Sequence, residues 1–137
     1  MAKQQKAWMP KSATTSKSSI PDAIKSELET KAANLIETIL KPKHVVPQQP
    51  EIKFNYISDI GTKWYRKYFY FFATYTCPGS NAMSPSFESK FARMEHLGSG
   101  RFSLSFNRHN GEWVGLYASL TVDECLKAIK DDAWFTP

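Results

Sequence analysis

Residues 63–76 read KWYRKYFYFFATYT, and this aromatic stretch decides the fold. Because alternate residues of a β-strand point to opposite faces, the stretch predicts one long strand that is apolar on both faces. One predicted face carries Trp64, Tyr68, Tyr70 and Phe72, and the other carries Tyr65, Phe69, Phe71, Ala73 and Tyr75. Such a strand belongs at the centre of a sheet, with helices on one side and either protein or ligand on the other.

Weaker strand patterns flank the aromatic stretch on both sides. Upstream, apolar and polar residues alternate over Ile52–Tyr56 and predict a first strand, with a turn at Gly61. Downstream, the sequences SFESKFARMEHL at 86–97 and RFSLSFNR at 101–108 predict a third and a fourth strand.

The dipeptide Asn110-Gly111 is the strongest turn signal in the chain. Both central positions of a type I′ turn need positive φ, which Asn and Gly tolerate, so the dipeptide predicts a hairpin into a fifth strand. The predicted register places His109 opposite Glu112, Arg108 opposite Trp113 and Phe106 opposite Gly115.

A long amphipathic helix is predicted ahead of the strands. Ser19 is its expected N-terminal cap, with Pro21 and Asp22 in the first turn, and Pro42 is its expected end after about 21 residues. The stripe at helical spacing consists of Ile20, Ile24, Leu28, Ala32, Leu35, Ile36 and Ile39.

A short helix is predicted after the fifth strand. Thr121 and Glu124 have the spacing of a capping box, and the helix is expected to end near Lys130. Trp134 and Phe135 are then expected to fold back as an anchor. The predicted buried stripe consists of Val122, Cys125, Leu126 and Ile129.

These patterns predict an α+β fold: a long N-terminal helix, an antiparallel sheet of about five strands in meander order, and a short C-terminal helix packed on one sheet face. Residues 19–137 are predicted to form one domain, since 137 residues match a common domain size. Residues 1–18 are polar and aperiodic, which predicts a disordered basic tail. Its role as a contact arm, a transit peptide or a solvated leader stays open.

The C-terminal part of the chain, residues 89–135, resembles a small bacterial family of domains of unknown function. The resemblance covers about a third of the chain and runs from an Ala-Arg strand through an aromatic hairpin to a short helix. It leaves out the aromatic stretch. The matching positions are Ala92, Arg93, Trp113, Leu126, Ile129, Asp132 and Phe135. The resemblance implies this fold and no activity.

Patterns for enzymatic or metal chemistry are weak. The three histidines, His44, His96 and His109, lack the spacing of metal ligands. Asp131 and Asp132 are adjacent, so their carboxylates do not converge as a general acid and base must. We therefore predict a protein that is not an enzyme, with no catalytic, cofactor-binding or metal-binding residues.

The sequence also limits the compartment in which the protein works. Cys77 and Cys125 are the only cysteines, too few for a disulfide framework, so they are expected to be free thiols in a reducing environment. No apolar run approaches the roughly 18 residues of a membrane-spanning helix. These features predict a soluble cytoplasmic protein that does not interact with a membrane.

The formal net charge of +5 is unevenly distributed. Residues 1–18 carry +4 and residues 41–112 carry +5, whereas residues 19–40 and 113–137 carry −2 each. Sixteen of the 19 aromatic residues lie between Phe54 and Tyr117. The pattern predicts a basic, aromatic sheet beside two acidic helices.

This combination is typical of proteins that bind single-stranded nucleic acid, because aromatic rings stack on bases and cations contact phosphates. We therefore predict a non-enzymatic binding protein that uses the uncovered side of the sheet. The predicted binding residues are Lys63, Arg66, Lys67, Tyr68, Tyr70, Arg93 and Arg108.

Other interpretations of the aromatic sheet stay open. Aromatic residues are favoured in central strands for packing reasons alone, and lysines at sheet edges guard against aggregation. The same face would also suit a protein partner or a second copy of the chain in a homodimer. A small-ligand pocket within a curved sheet is a further interpretation.

Overall fold

The computed structural model describes residues 20–46, 54–78, 85–108 and 110–137. The predictions for the tail at 1–18, the Ser19 cap, Ile52 and His109 fall outside these residues. The helices and strands, in chain order, are α1 (Asp22–Leu35, continued by a π-helical turn Ile36–Leu40 and a last α-helical turn Lys41–His44), β1 (Tyr56–Tyr65), β2 (Tyr68–Thr76), β3 (Ser86–Gly98), β4 (Arg101–Asn107), β5 (Trp113–Thr121), α2 (Val122–Asp131) and a 3-10 turn (Ala133–Phe135).

The five strands form one open antiparallel sheet in the order β1-β2-β3-β4-β5, which confirms the predicted α+β meander. Both helices pack on the same face of the sheet. The shared core joins buried residues of α1, of the inward strand positions and of α2. Its largest fully buried side chains include Phe69, Phe71, Phe102 and Phe135.

In the part of the chain that the structure describes, no helix is long and apolar enough to cross a membrane.

The stretch 63–76 forms a hairpin rather than the single strand predicted. Tyr65 pairs with Tyr68, so Arg66 and Lys67 form a two-residue turn between β1 and β2. Arg66 occupies this turn with a φ of 57°. The usual turn residues, Gly, Asn and Pro, are all absent from the turn, and for this reason the sequence pattern did not reveal it.

Gly61 lies inside the edge strand β1, and the prediction of a turn there was wrong. A Cβ atom added to Gly61 would lie 2.9 Å from Cζ of Phe72 on β2. The glycine thus lets the Phe72 ring lie across the neighbouring strand, which is a role for glycine in strands that differs from turn formation.

Helix α1 continues past Pro42 to His44 because a π-helical turn precedes the proline. In a regular α-helix the ring of Pro42 would clash with the carbonyl of Thr38. Here the N–H of Lys41 bonds to the carbonyl of Ile36, five residues back. The wider turn also rotates the apolar stripe by one residue, so that Leu40 is buried where Ile39 was predicted, and Ile39 is 36% exposed.

The C-terminal helix follows its prediction closely. The Thr121 hydroxyl accepts from the N–H of Glu124, and the Glu124 carboxylate accepts from the N–H of Thr121. All four predicted stripe residues are buried. Phe135 folds back into the core as expected, but Trp134 is 60% exposed and lies against Phe106 with a centroid distance of 4.9 Å.

The β4–β5 hairpin has a three-residue loop, so the predicted register was wrong by one residue. Phe106 pairs with Val114, and Asn107 with Trp113. The N–H of Gly111 bonds to the carbonyl of Arg108, and Gly111 has a φ of 84°. A turn followed by a residue in the left-handed region is the usual geometry of three-residue hairpin loops. Consecutive positive φ angles occur instead at Gly98, Ser99 and Gly100, where β3 turns into β4.

We expect Gly111→Ala to lower the free energy of unfolding by about 1 kcal/mol, because a Cβ atom is disfavoured at positive φ. Urea denaturation followed by fluorescence measures this loss. Gly115→Ala is the matched control, since its Cβ would make only an ordinary 3.8 Å contact with Oγ of Ser105 and its φ is not positive. Equal losses in the two variants would contradict the assigned loop geometry.

Candidate nucleic-acid interface

Strand β2 divides its aromatic residues between the two faces of the sheet. Phe69, Phe71 and Ala73 are buried against the helices. The alternate residues are half-buried and lie on the opposite side, where no described helix packs. We call this side the open face and define it by the residues whose side chains it carries: Lys63, Lys67, Tyr68, Tyr70, Phe72, Glu88, Lys90, Arg93, Glu95 and Trp113.

Each outward ring of β2 lies close to at least one cationic group. Nζ of Lys63 is 4.6 Å from the Phe72 centroid, and Nζ of Lys90 is 5.6 Å from the Tyr70 centroid. Nζ of Lys67 lies 5.9 Å from the third ring, that of Tyr68. These distances fall within the range of cation–π attraction. Rings and cations therefore alternate over the open face.

Arg93 lies at the centre of this pattern, between two rings. Its guanidinium carbon is 4.8 Å from the Tyr68 centroid and 5.0 Å from that of Trp113. Trp113 in turn lies 5.8 Å from Tyr70, so its indole reaches back across the sheet from the edge strand. Among the described residues no carboxylate lies within ion-pair distance of Arg93. The two rings thus flank the guanidinium, and its N–H donors have no anionic partner within the described part of the chain.

Two of the predicted lysines do have anionic partners on the open face. Lys63 pairs with Glu88, and Nζ of Lys67 is 2.8 Å from a carboxylate oxygen of Glu95. The hydrogen bond to Glu95 raises the pKa of Lys67 above its ordinary value. Both carboxylates belong to β3. Lys63 reaches over β2 to Glu88, whereas Lys67 already lies beside β3, since its carbonyl accepts from the N–H of His96.

A shallow depression of about 280 Å³ lies at the β1 side of the open face. It is lined by Lys63, Tyr65, Tyr70, Lys90 and, from behind, Trp64. Rings and ammonium groups together bound this space. A base with its phosphate requires the same combination of surfaces.

The structure brings five of the seven predicted site residues together and places the other two at its margins. Lys63, Lys67, Tyr68, Tyr70 and Arg93 share the open face. Arg66 lies in the adjoining β1–β2 turn, 5.3 Å from the Tyr65 ring. Arg108 lies at the β4–β5 hairpin and faces Glu112 at 3.4 Å, away from the ring cluster.

Trp64 was predicted on the same face as Tyr68, but it lies on the helix side. Its indole N–H donates to Glu29 of α1 at 2.7 Å, and its ring lies 4.7 Å from that of Phe69. The turn at Arg66 and Lys67 causes the difference, because it breaks the alternation that the sequence pattern assumed to be continuous.

Sequence reasoning missed Lys90 and Trp113 as site residues. A β-bulge in β3 leaves Phe91 without a partner on β2, so that Phe91 and Ala92 are both buried and Lys90 points outward. The apolar pair Phe91-Ala92 was the available signal for this bulge. Trp113 pairs with Asn107, and the corrected hairpin register is what places it on the open face.

Two groups away from the open face have pKa values shifted by burial. Burial raises the pKa of the Cys125 thiol to about 12, which makes it a packed and unreactive side chain. Burial also lowers the pKa of His96, whose Nε2 has no hydrogen-bond partner. Within the described ranges, no three His, Cys, Asp or Glu side chains are placed to hold a metal ion.

We expect Arg66→Gly to raise the free energy of unfolding by up to about 1 kcal/mol, because glycine relieves the cost of a positive φ at residue 66. Lys67→Gly is the control. It removes the ion pair with Glu95 and increases the conformational entropy of the unfolded backbone, so it should destabilise the folded protein. Urea denaturation of both variants tests the comparison. A destabilised Arg66→Gly protein would show that the arginine side chain stabilises the turn more than its backbone strain costs.

Comparison with known proteins places the chain in a family. Residues 20–137 match the family model of a domain of unknown function, DUF3024. The match is therefore wider than the C-terminal third that the sequence resemblance covered, and it includes α1 and the aromatic stretch. No curated protein and no solved structure matches the chain significantly.

Proposed function

The chain belongs to the DUF3024 family, whose function is unknown, and we propose from the geometry of the open face that it binds single-stranded nucleic acid. The observation that carries the proposal is Arg93. Its guanidinium is fixed between Tyr68 and Trp113, and no described carboxylate satisfies its charge. A positioned arginine between two rings suits a ligand that combines negative charge with flat aromatic groups.

The rings favour unpaired bases as ligands. In a duplex the faces of the bases are stacked on one another, whereas a single strand offers each face to a protein ring or to an arginine plane. Tyr68, Tyr70 and Trp113 form a continuous series with neighbouring centroids 6.2 Å and 5.8 Å apart. Lys90 and Arg93 lie beside this series and have no ion pair among the described residues, so they supply the phosphate contacts.

Charge argues against self-association as the main role of the open face. A two-fold symmetric dimer would place the open face against its own copy, because such interfaces use the same patch on both subunits. The face carries four basic and two acidic side chains, so the copies would meet with an excess of like charge. An anionic partner avoids this repulsion, and the homodimer is therefore our second candidate.

The proposal is for a binding protein without catalytic activity that works in the cytoplasm. The two cysteines form no disulfide, which fits a reducing compartment. The packed Cys125 thiol also offers no nucleophile.

We expect Tyr70→Ala to weaken binding of a labelled oligopyrimidine by about 1–3 kcal/mol, because one stacking surface is lost. The dependence of affinity on salt should stay nearly unchanged. Fluorescence anisotropy at several salt concentrations measures both quantities. Tyr117→Ala is the matched control, since this tyrosine bonds to Asp132 beside α2 and not on the open face. Circular dichroism confirms that each variant is folded.

The wild-type salt dependence provides a second, independent readout. With Lys90 and Arg93 as the phosphate contacts, the slope of log K against log salt for a single strand should be about −1.4. Absence of binding at low salt would contradict the proposal. A dimer in light scattering that Tyr70→Ala dissociates would favour the homodimer instead.

A further inference from the structure

The two carboxylates of the open face have no role in binding an anionic strand, and their positions call for a physical explanation. Glu88 and Glu95 both lie on β3, opposite Thr74 and Tyr68 of β2. Each is placed among the cations and rings that we propose to contact the ligand. A surface selected only for attraction to phosphate would not carry acidic groups there.

Each carboxylate neutralises one lysine in the free protein. Lys63 extends over the Phe72 ring to Glu88, and Lys67 extends beside Tyr68 to Glu95. The Glu95 side chain is only 28% exposed, so this pair is partly sheltered from solvent. A phosphate that contacts either lysine must replace the carboxylate or lie next to it, and both arrangements cost electrostatic energy.

This electrostatic cost affects the binding of duplex and of single-stranded nucleic acid to different extents. A duplex presents mainly phosphates to a sheet surface, so its affinity depends on the number of available cations. A single strand also gains stacking on the rings, which the two carboxylates do not affect. Neutralised lysines therefore weaken duplex binding more than they weaken single-strand binding.

On the premise that the open face binds single strands, we propose that Glu88 and Glu95 determine its selectivity for unpaired bases by occupying Lys63 and Lys67. The carboxylates act as repulsive elements against a competing ligand, which is how many binding surfaces achieve specificity. The inference deepens the proposed function because it names the ligand that the face rejects.

The test compares the wild-type protein with the double variant Glu88→Gln/Glu95→Gln. Anisotropy is measured with a 20-base-pair duplex and with a 20-nucleotide oligothymidine, between about 50 and 200 mM salt. We expect duplex affinity to rise about tenfold per released lysine at 50 mM salt, and its salt slope to steepen by about 0.9 per lysine. Oligothymidine affinity should rise less, so the ratio of single-strand to duplex affinity falls.

Two further variants control for net charge and for mechanism. Glu27→Gln makes the same charge change at a carboxylate that pairs with Lys31 on the helix side, and it should leave the affinity ratio unchanged within about twofold. Adding Lys63→Gln and Lys67→Gln to the double variant should restore the wild-type ratio. Exposed ion pairs contribute little to stability, so all these variants are expected to fold.

The outcomes separate this inference from the proposed function. Wild-type binding to oligothymidine with an unchanged ratio in the double variant would overturn the role of the two glutamates alone. An equal change of the ratio in Glu27→Gln would overturn it too, since net charge would then explain the effect. Failure of the wild-type protein to bind oligothymidine at 50 mM salt would overturn the proposed function.

Discussion

The structure depends on strand β2, because its two faces are both aromatic and only one of them is covered. Phe69, Phe71 and Ala73 are buried in the apolar core that the sheet shares with α1 and α2. The opposite face cannot be buried by the same helices. On this face the rings of Tyr68, Tyr70 and Phe72 lie against cationic side chains instead of against another layer of helices.

Patterns in the sequence predicted the helix and sheet layers better than they predicted where individual helices, strands and turns begin and end. Hydrophobic periodicity identified both helices and the number of strands, because these depend on which residues are apolar. The boundaries that failed depend on backbone conformation. Arg66 adopts a positive φ without being Gly or Asn, Gly61 lies within a strand to admit the Phe72 ring, and Pro42 stays in its helix through a π-helical turn.

For the candidate site too, the composition of the surface was predictable from the sequence, whereas the contacts between its residues were not. The concentration of rings and cations in residues 41–112 predicted a basic aromatic surface, and five of the seven named residues share the open face. Sequence alone could not show which cations were already paired, since Lys63 and Lys67 meet Glu88 and Glu95 of β3 from distant positions in the chain. Nor could it place Trp113 beside Arg93, which depends on the three-residue hairpin loop.

Strand β2 also separates core packing from the proposed binding surface within a few residues. A change at an inward position such as Phe71 leaves a cavity in the core, whereas a change at Tyr70 removes contacts with residues of the open face, among them Tyr68 and Trp113. Because side chains alternate along a strand, the inward and the outward residues of β2 lie on opposite faces of the sheet and make separate contacts. The outward residues are therefore able to vary while the inward residues keep the sheet attached to its helices.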